Sequence, residues 1–231
     1  MNPVFQITGL IHTLGTFTLD IPKFSAEPGT VVGLVGRNGA GKTTLLRALA
    51  GFGRPNSGSV RVLGRSPYQD PVGVRQRLAY MTDTQTVLPL PIGTLLKATA
   101  GFYPTWDAGL AASLVDRFEL PLNKMPATLS KGEGTRLRLV LAMAFRPTVL
   151  LLDEPATGLD VVFRRAMLES VLEVVRDPER TVVISSHDIA DLQRITDRVV
   201  LLKAGRITAD GPADTLAGAG RTLEQMIAEN G

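Results

Sequence analysis

The chain of 231 residues contains no cysteine. That absence excludes a disulfide framework, a thiolate metal centre and a cysteine nucleophile, and it permits a reducing compartment. Only two histidines are present, His12 and His187, too few for a dedicated histidine metal cluster. Aromatic residues make up just 5% of the chain. Neither sign of charge predominates: 25 Lys and Arg against 22 Asp and Glu leave a net charge of +3. So small an excess gives no expectation of nucleic acid as a partner, although a pI of 9.4 permits weak attraction to anionic surfaces. Long apolar runs are missing as well. Those at residues 149–152 and 199–202 stop far short of the roughly 20 residues that cross a bilayer. The N-terminus, MNPVFQITGL, has no basic stretch leading into an apolar one, so no signal peptide is expected. The chain reads as soluble by itself, with any membrane role running through a partner.

What is present is a normal apolar content. Hydrophobic residues account for 44% of the chain, which excludes disorder as the dominant state. Short β-rich pieces at 4–7 and 16–21 precede a buried strand at 30–35, TVVGLV. A glycine-rich loop then leads into helical leucine spacing over 43–50, and 59–63 reads as a further strand. Between about 74 and 146 the texture turns helical, with helices expected at 93–102, 108–118 and 135–145, punctuated by prolines. Apolar strands return at 148–152, 181–185 and 198–202, alternating with helices expected at 161–176 and 188–195. A hairpin turn at 203–206 opens a last strand at 207–209. Continuous apolar strands alternating with helices predict a mainly parallel sheet covered on both faces.

Two motifs carry chemistry. Gly36-Arg37-Asn38-Gly39-Ala40-Gly41-Lys42-Thr43 fits G-x-x-x-x-G-K-[ST], with a strand entering and a helix leaving. The glycines let backbone N–H groups converge on phosphate oxygens, and the helix N-terminus adds positive potential. Lys42 is expected to reach the β- and γ-phosphates and the Thr43 hydroxyl to ligate Mg²⁺; Thr44 extends the phosphate-binding set. The second motif, Val149-Leu-Leu-Leu-Asp153-Glu154, ends a buried strand on two carboxylates at the edge where α/β sheets bind ligands. Asp153 suits a Mg²⁺ ligand and Glu154 a base for the attacking water.

With these motifs the chain resembles the nucleotide-binding subunit of an ABC transporter over essentially its whole length. Leu129-Ser130-Lys131-Gly132-Glu133 is similar to the family's LSGGQ signature, with Lys131 in place of a glycine and Glu133 in place of a glutamine. Thr157-Gly158-Leu159-Asp160 matches the D-loop, and His187, after TVVIS, matches the switch histidine. The resemblance implies a P-loop ATPase core of α/β class. It would comprise residues 1–73 and 147–231, with an N-terminal antiparallel β part and a helical insertion over 74–146, together forming one ATPase domain. It implies ATP and Mg²⁺ as cofactors and a head-to-tail dimer. In that dimer Ser130, Lys131, Gly132 and Asp160 of one copy complete the phosphate loop of the other, while His187 holds the γ-phosphate. It implies a separate integral membrane permease as partner, placement on the cytoplasmic face of the membrane, and, from the likeness of the insertion, export. Two places depart from the family. The Mg²⁺-contacting glutamine is replaced by Asp83, with Gln85 two residues on as the other candidate. The aromatic that stacks on adenine is missing from 11–15, which leaves either His12 or Phe17 as a stand-in or a site of weak base selectivity. Phe102, Tyr103 and Trp106 form either a socket for the permease or packing of the insertion. A relative acting on nucleic acid or the ribosome, and a regulatory subunit with low hydrolysis, are the rival readings.

Overall fold

A computed structural model describes residues 2–186 and 195–213. His187, most of the helix expected over 188–195 and the tail after residue 213 lie outside the described residues. β1 (Phe5–Leu14) and β2 (Phe17–Ala26) form an antiparallel hairpin around a tight turn at residues 15 and 16. β3 (Val31–Val35) leaves this hairpin, α1 (Lys42–Leu49) follows, and β4 (Ser57–Val62) returns to pair antiparallel with β1. The short α2 (Pro71–Arg75) and β5 (Leu78–Met81) come next. Then α3 (Ile92–Ala100), α4 (Ala108–Arg117) and α5 (Lys131–Met143) supply the helical insertion. β6 (Val149–Asp153), α6 (Val161–Val175), β7 (Thr181–Ser186), β8 (Arg198–Lys203) and β9 (Arg206–Pro212) complete the described chain.

The fold is α/β: a three-stranded antiparallel sheet, β2-β1-β4, beside a six-stranded sheet in the order β5-β6-β7-β3-β8-β9. All pairings in the second sheet are parallel except that of β9 with β8. β3, β6 and β7 are buried at every residue, which is why they read as unbroken apolar runs. Alternation splits each strand between two cores. Val31 and Val35 of β3, with Leu150 and Leu152 of β6, face α3 to α6. Val32 and Leu34, with Val149 and Leu151, face α1 and the antiparallel sheet.

β5 corrects one expectation. It lies within the span read as insertion, yet it is an edge strand of the large sheet, paired parallel with β6 from Leu78↔Val149 to Met81↔Leu152. The observed helices of the insertion begin at Ile92. Arg117 of α4 ties them back to α6, its guanidinium forking onto both Glu173 carboxylate oxygens at 3.0 Å and donating to Ser170 at 2.8 Å.

Candidate functional site

The loop between β3 and α1 is shaped by glycine. A Cβ on Gly36 would run into the Leu202 carbonyl oxygen, and one on Gly41 would meet the Phe17 ring at 2.8 Å. Gly41 caps α1 in a left-handed conformation, φ 108°, and no side chain closes the helix N-terminus. By contrast Asp107, Ser130 and Asp160 cap α4, α5 and α6 with side-chain oxygens. The first turn of α1 holds no acidic residue either. Its free N–H groups and positive end therefore face the loop, the arrangement that binds phosphate.

Lys42, 6% exposed, curls over this loop. Its Nζ donates to the Gly36 carbonyl at 2.6 Å and the Arg37 carbonyl at 3.4 Å, and pairs with Glu154 Oε1 at 3.3 Å. The phosphate-loop lysine and the carboxylate one residue beyond β6 thus meet. Thr43, Thr44, Asn38 and Glu154 line the same cleft. Glu154 sits at φ 51°, a left-handed conformation that costs a non-glycine residue of order 1–3 kcal/mol. Its backbone N–H is held by the Ser185 hydroxyl oxygen at 3.0 Å.

Ser185 in turn donates to Asp153 Oδ1 at 2.7 Å, and the Tyr80 hydroxyl donates to Oδ2 at 3.4 Å. Asp153 is 4% exposed, so these bonds aim a carboxylate that burial would otherwise penalise. Burial, followed by the Asp153 charge, raises the Tyr80 hydroxyl well above its ordinary range and keeps it a donor. Thr43 and Asp153 offer hard oxygen donors of the kind Mg²⁺ takes beside phosphate. Neither Ser185 nor Tyr80 stands out in the sequence, although a serine ending the apolar run TVVI is the available signal for the first. Ser185→Ala removes a hydrogen bond to a charged group, about 1.5–3 kcal/mol. Turnover is therefore expected to fall about tenfold and the Mg²⁺ midpoint to rise, measured by steady-state phosphate release, with thermal melting as the control.

The signature loop does not reach this cleft. Ser130 caps α5, and Lys131 and Gly132 in its first turn rest on the chain's own D-loop. The Lys131 stem lies against Gly158, and a Cβ on Gly132 would meet the Gly158 carbonyl oxygen at 2.9 Å. Ser130 and Glu133 form a reciprocal capping box: Glu133 N–H donates to Ser130 Oγ at 3.2 Å, and Ser130 N–H to Glu133 Oε2 at 2.7 Å. That N–H first, and then Lys124 at 3.0 Å, lowers the Glu133 carboxyl to about 2. Asp160 caps α6 by accepting from Phe163 N–H at 3.0 Å.

Asp83 and Gln85 also stay away from the phosphate cleft. Asp83 is exposed and accepts from the Thr82 hydroxyl at 3.4 Å. Gln85 instead lines a second cleft of 420 Å³ with Phe52, Phe102, Tyr103 and Phe145. There Tyr103 stacks on Phe145 with centroids 4.0 Å apart, and Phe102 is 69% exposed. Trp106 packs against the core of the insertion instead. Of the two stand-ins for the adenine aromatic, His12 is buried beside Gly53, whereas Phe17 lines the phosphate cleft with Leu14.

The family model for the ABC transporter matches residues 19–157. The chain belongs to the ABC transporter family. Among curated ABC relatives, the ATP-binding protein YtrB of Bacillus subtilis (strain 168) is 32% identical over 84% of the chain and 66% of its own length. A phosphonates import ATP-binding protein, PhnC 1 of Natronomonas pharaonis, is 31% identical over 92% of the chain and 95% of its own. A solved structure of an ATP-binding subunit of an ABC transporter superposes with a TM-score of 0.89 at 26% identity, covering 98% of both chains. The ATP-binding subunits of ABC transporters are ATPases, and this chain is one of them. Among the described residues no helix is long and apolar enough to cross a membrane.

Proposed function

We propose that this chain hydrolyses ATP as a head-to-tail dimer and thereby drives a separate membrane permease. The observation that carries the reading is the meeting of Lys42 and Glu154 at 3.3 Å over an uncapped helix N-terminus. Backbone N–H groups from Gly36 to Thr44 bind the phosphates, and Lys42 neutralises charge that grows on the γ-phosphate. Glu154 orients the attacking water and takes its proton, at a position set by Ser185. Thr43 and Asp153 are the residues suited to hold Mg²⁺, which when bound offsets charge on the β- and γ-phosphates. His187 keeps its assignment to the γ-phosphate.

Within one chain the signature residues are turned away from the phosphate cleft. A second copy is the economical source of Ser130, Lys131 and Gly132: the Ser130 N–H is held by Glu133, and the N–H groups of Lys131 and Gly132 at the start of α5 suit an anionic phosphate. Phe17 supplies the face on which adenine stacks. Phe17→Ala is expected to raise KM for ATP about tenfold with kcat little changed, since base–aromatic stacking contributes about 1–3 kcal/mol; steady-state kinetics checks this.

The aromatic cleft beside Gln85 takes the permease, which places the chain against the cytoplasmic face of a membrane, as one ATPase domain with its insertion facing the partner. The permease holds the transport path, so direction lies there. Export draws no support from relatives such as PhnC 1, MetN and ModC, which carry import names. The test is to purify the complex from native membranes and measure phosphate release. ATP hydrolysis by a complex containing an integral membrane protein supports the reading; a chain that comes away alone and inert contradicts it.

A further inference from the structure

The cleft assigned to the permease carries two cations and no acid. Arg75 and Arg138 are among its lining residues, with no Asp or Glu beside them. Arg75 is accounted for: its guanidinium lies over the Phe52 ring, 4.6 Å from the centroid, a stable seat for a cation. Arg138 is not. It projects from the middle of α5, its Nε is buried without a hydrogen-bond partner, and Nη2 makes only a long contact of 3.4 Å with the Thr135 hydroxyl. Burial lowers the guanidinium pKa, with the Asp83 charge opposing. Asp83 is exposed and bonded to Thr82, so it acts from a distance. Arg138 is half-buried, and a buried N–H on a cation is costly unless a carboxylate or carbonyl completes it.

We infer that the permease segment seated in this cleft carries a carboxylate, and that this carboxylate pairs with Arg138. The inference rests on the proposal that a permease occupies the cleft, and it adds the chemistry of the contact. The stacked rings of Tyr103 and Phe145 give an apolar floor for a short helix, while Arg138 sets which end of that helix enters. A planar guanidinium suits the two oxygens of a carboxylate. The contact also has mechanical reach. Ser130 caps the helix that holds Arg138, eight residues or about 12 Å along a rigid rod. An ion pair formed at Arg138 therefore acts on the signature loop through one element.

Carbodiimide coupling in membranes that contain the chain and its permease tests this. Arg138→Lys places an amine where a zero-length reagent joins it to any carboxylate in contact. The expected product is an amide between that amine and an Asp or Glu of the permease, located by mass spectrometry and lost in Arg138→Ala. Arg138→Glu is expected to lose permease-stimulated ATP hydrolysis while the isolated chain keeps its basal rate. A photoreactive p-benzoylphenylalanine at Phe102 reports separately on whether the permease is in the cleft. If it couples there and the amine finds no permease carboxylate, or joins only Asp83 of its own chain, the inference is wrong and the permease proposal stands. If Phe102 couples to another copy of the chain or to nothing, both fail.

Discussion

Glu154→Gln binds ATP and scarcely turns it over. The amide keeps the size and left-handed backbone of Glu154 and still accepts hydrogen bonds, so water is held but its proton has nowhere to go. Removal of a positioned general base lowers rates about 10²–10⁴-fold. The same change dissolves the ion pair to Lys42 at 3.3 Å. Lys42 is then freer to meet phosphate, and ATP affinity is expected to be unchanged or higher. Equilibrium binding of a fluorescent ATP analogue and single-turnover phosphate release measure the two effects separately. Turnover equal to the parent's would remove Glu154 from its assigned role.

Lys42→Ala has the opposite signature: it is expected to lose binding first. In the native chain the ammonium is almost fully buried and directed by the carbonyls of Gly36 and Arg37. A charge-assisted hydrogen bond contributes about 1.5–3 kcal/mol, so ATP affinity should fall about 10²-fold. Glu154 loses its cation in the same step, and a small fall in melting temperature follows. Titration calorimetry with a non-hydrolysable ATP analogue checks the first effect and scanning calorimetry the second. Native affinity in this variant would mean that the loop backbone alone holds the phosphates.

The phosphate loop was legible because its requirement is local: glycines where a Cβ meets Leu202 or Phe17, and a lysine just inside a helix. Asp153 was legible because four buried residues precede it on β6. β5 was not, since only four residues, LAYM, pair with β6 and nothing around them has a strand period. The early start of α5 at Lys131 instead of Thr135 follows from the Ser130–Glu133 box, a spacing written in the sequence that helical periodicity alone overlooks. Ser185 owes its importance to Asp153, 32 residues away, and Arg138 to the cleft that Phe52, Phe102 and Tyr103 build around it. One is a cross-strand bond and the other a mid-helix cation at a cleft, and neither environment is visible until the sheet and insertion are assembled. Likewise Phe17 and His12 share one face of the hairpin and differ in position along it: His12 is buried beside Gly53, while Phe17, next to the turn, lines the phosphate cleft.

Two inactive variants, mixed, test the head-to-tail arrangement most directly. Lys42→Ala disables a copy's phosphate loop and leaves its signature intact. Gly132→Val does the reverse, because its side chain collides with the Gly158 carbonyl oxygen. A mixed dimer then holds one site made wholly of native halves, and random pairing in a two-fold dimer restores about a quarter of parental ATP hydrolysis. Recovery that rises with the proportion of mixed dimers is the predicted result. Activity that stays at the sum of the two separate variants at every ratio would show that each chain works on ATP alone.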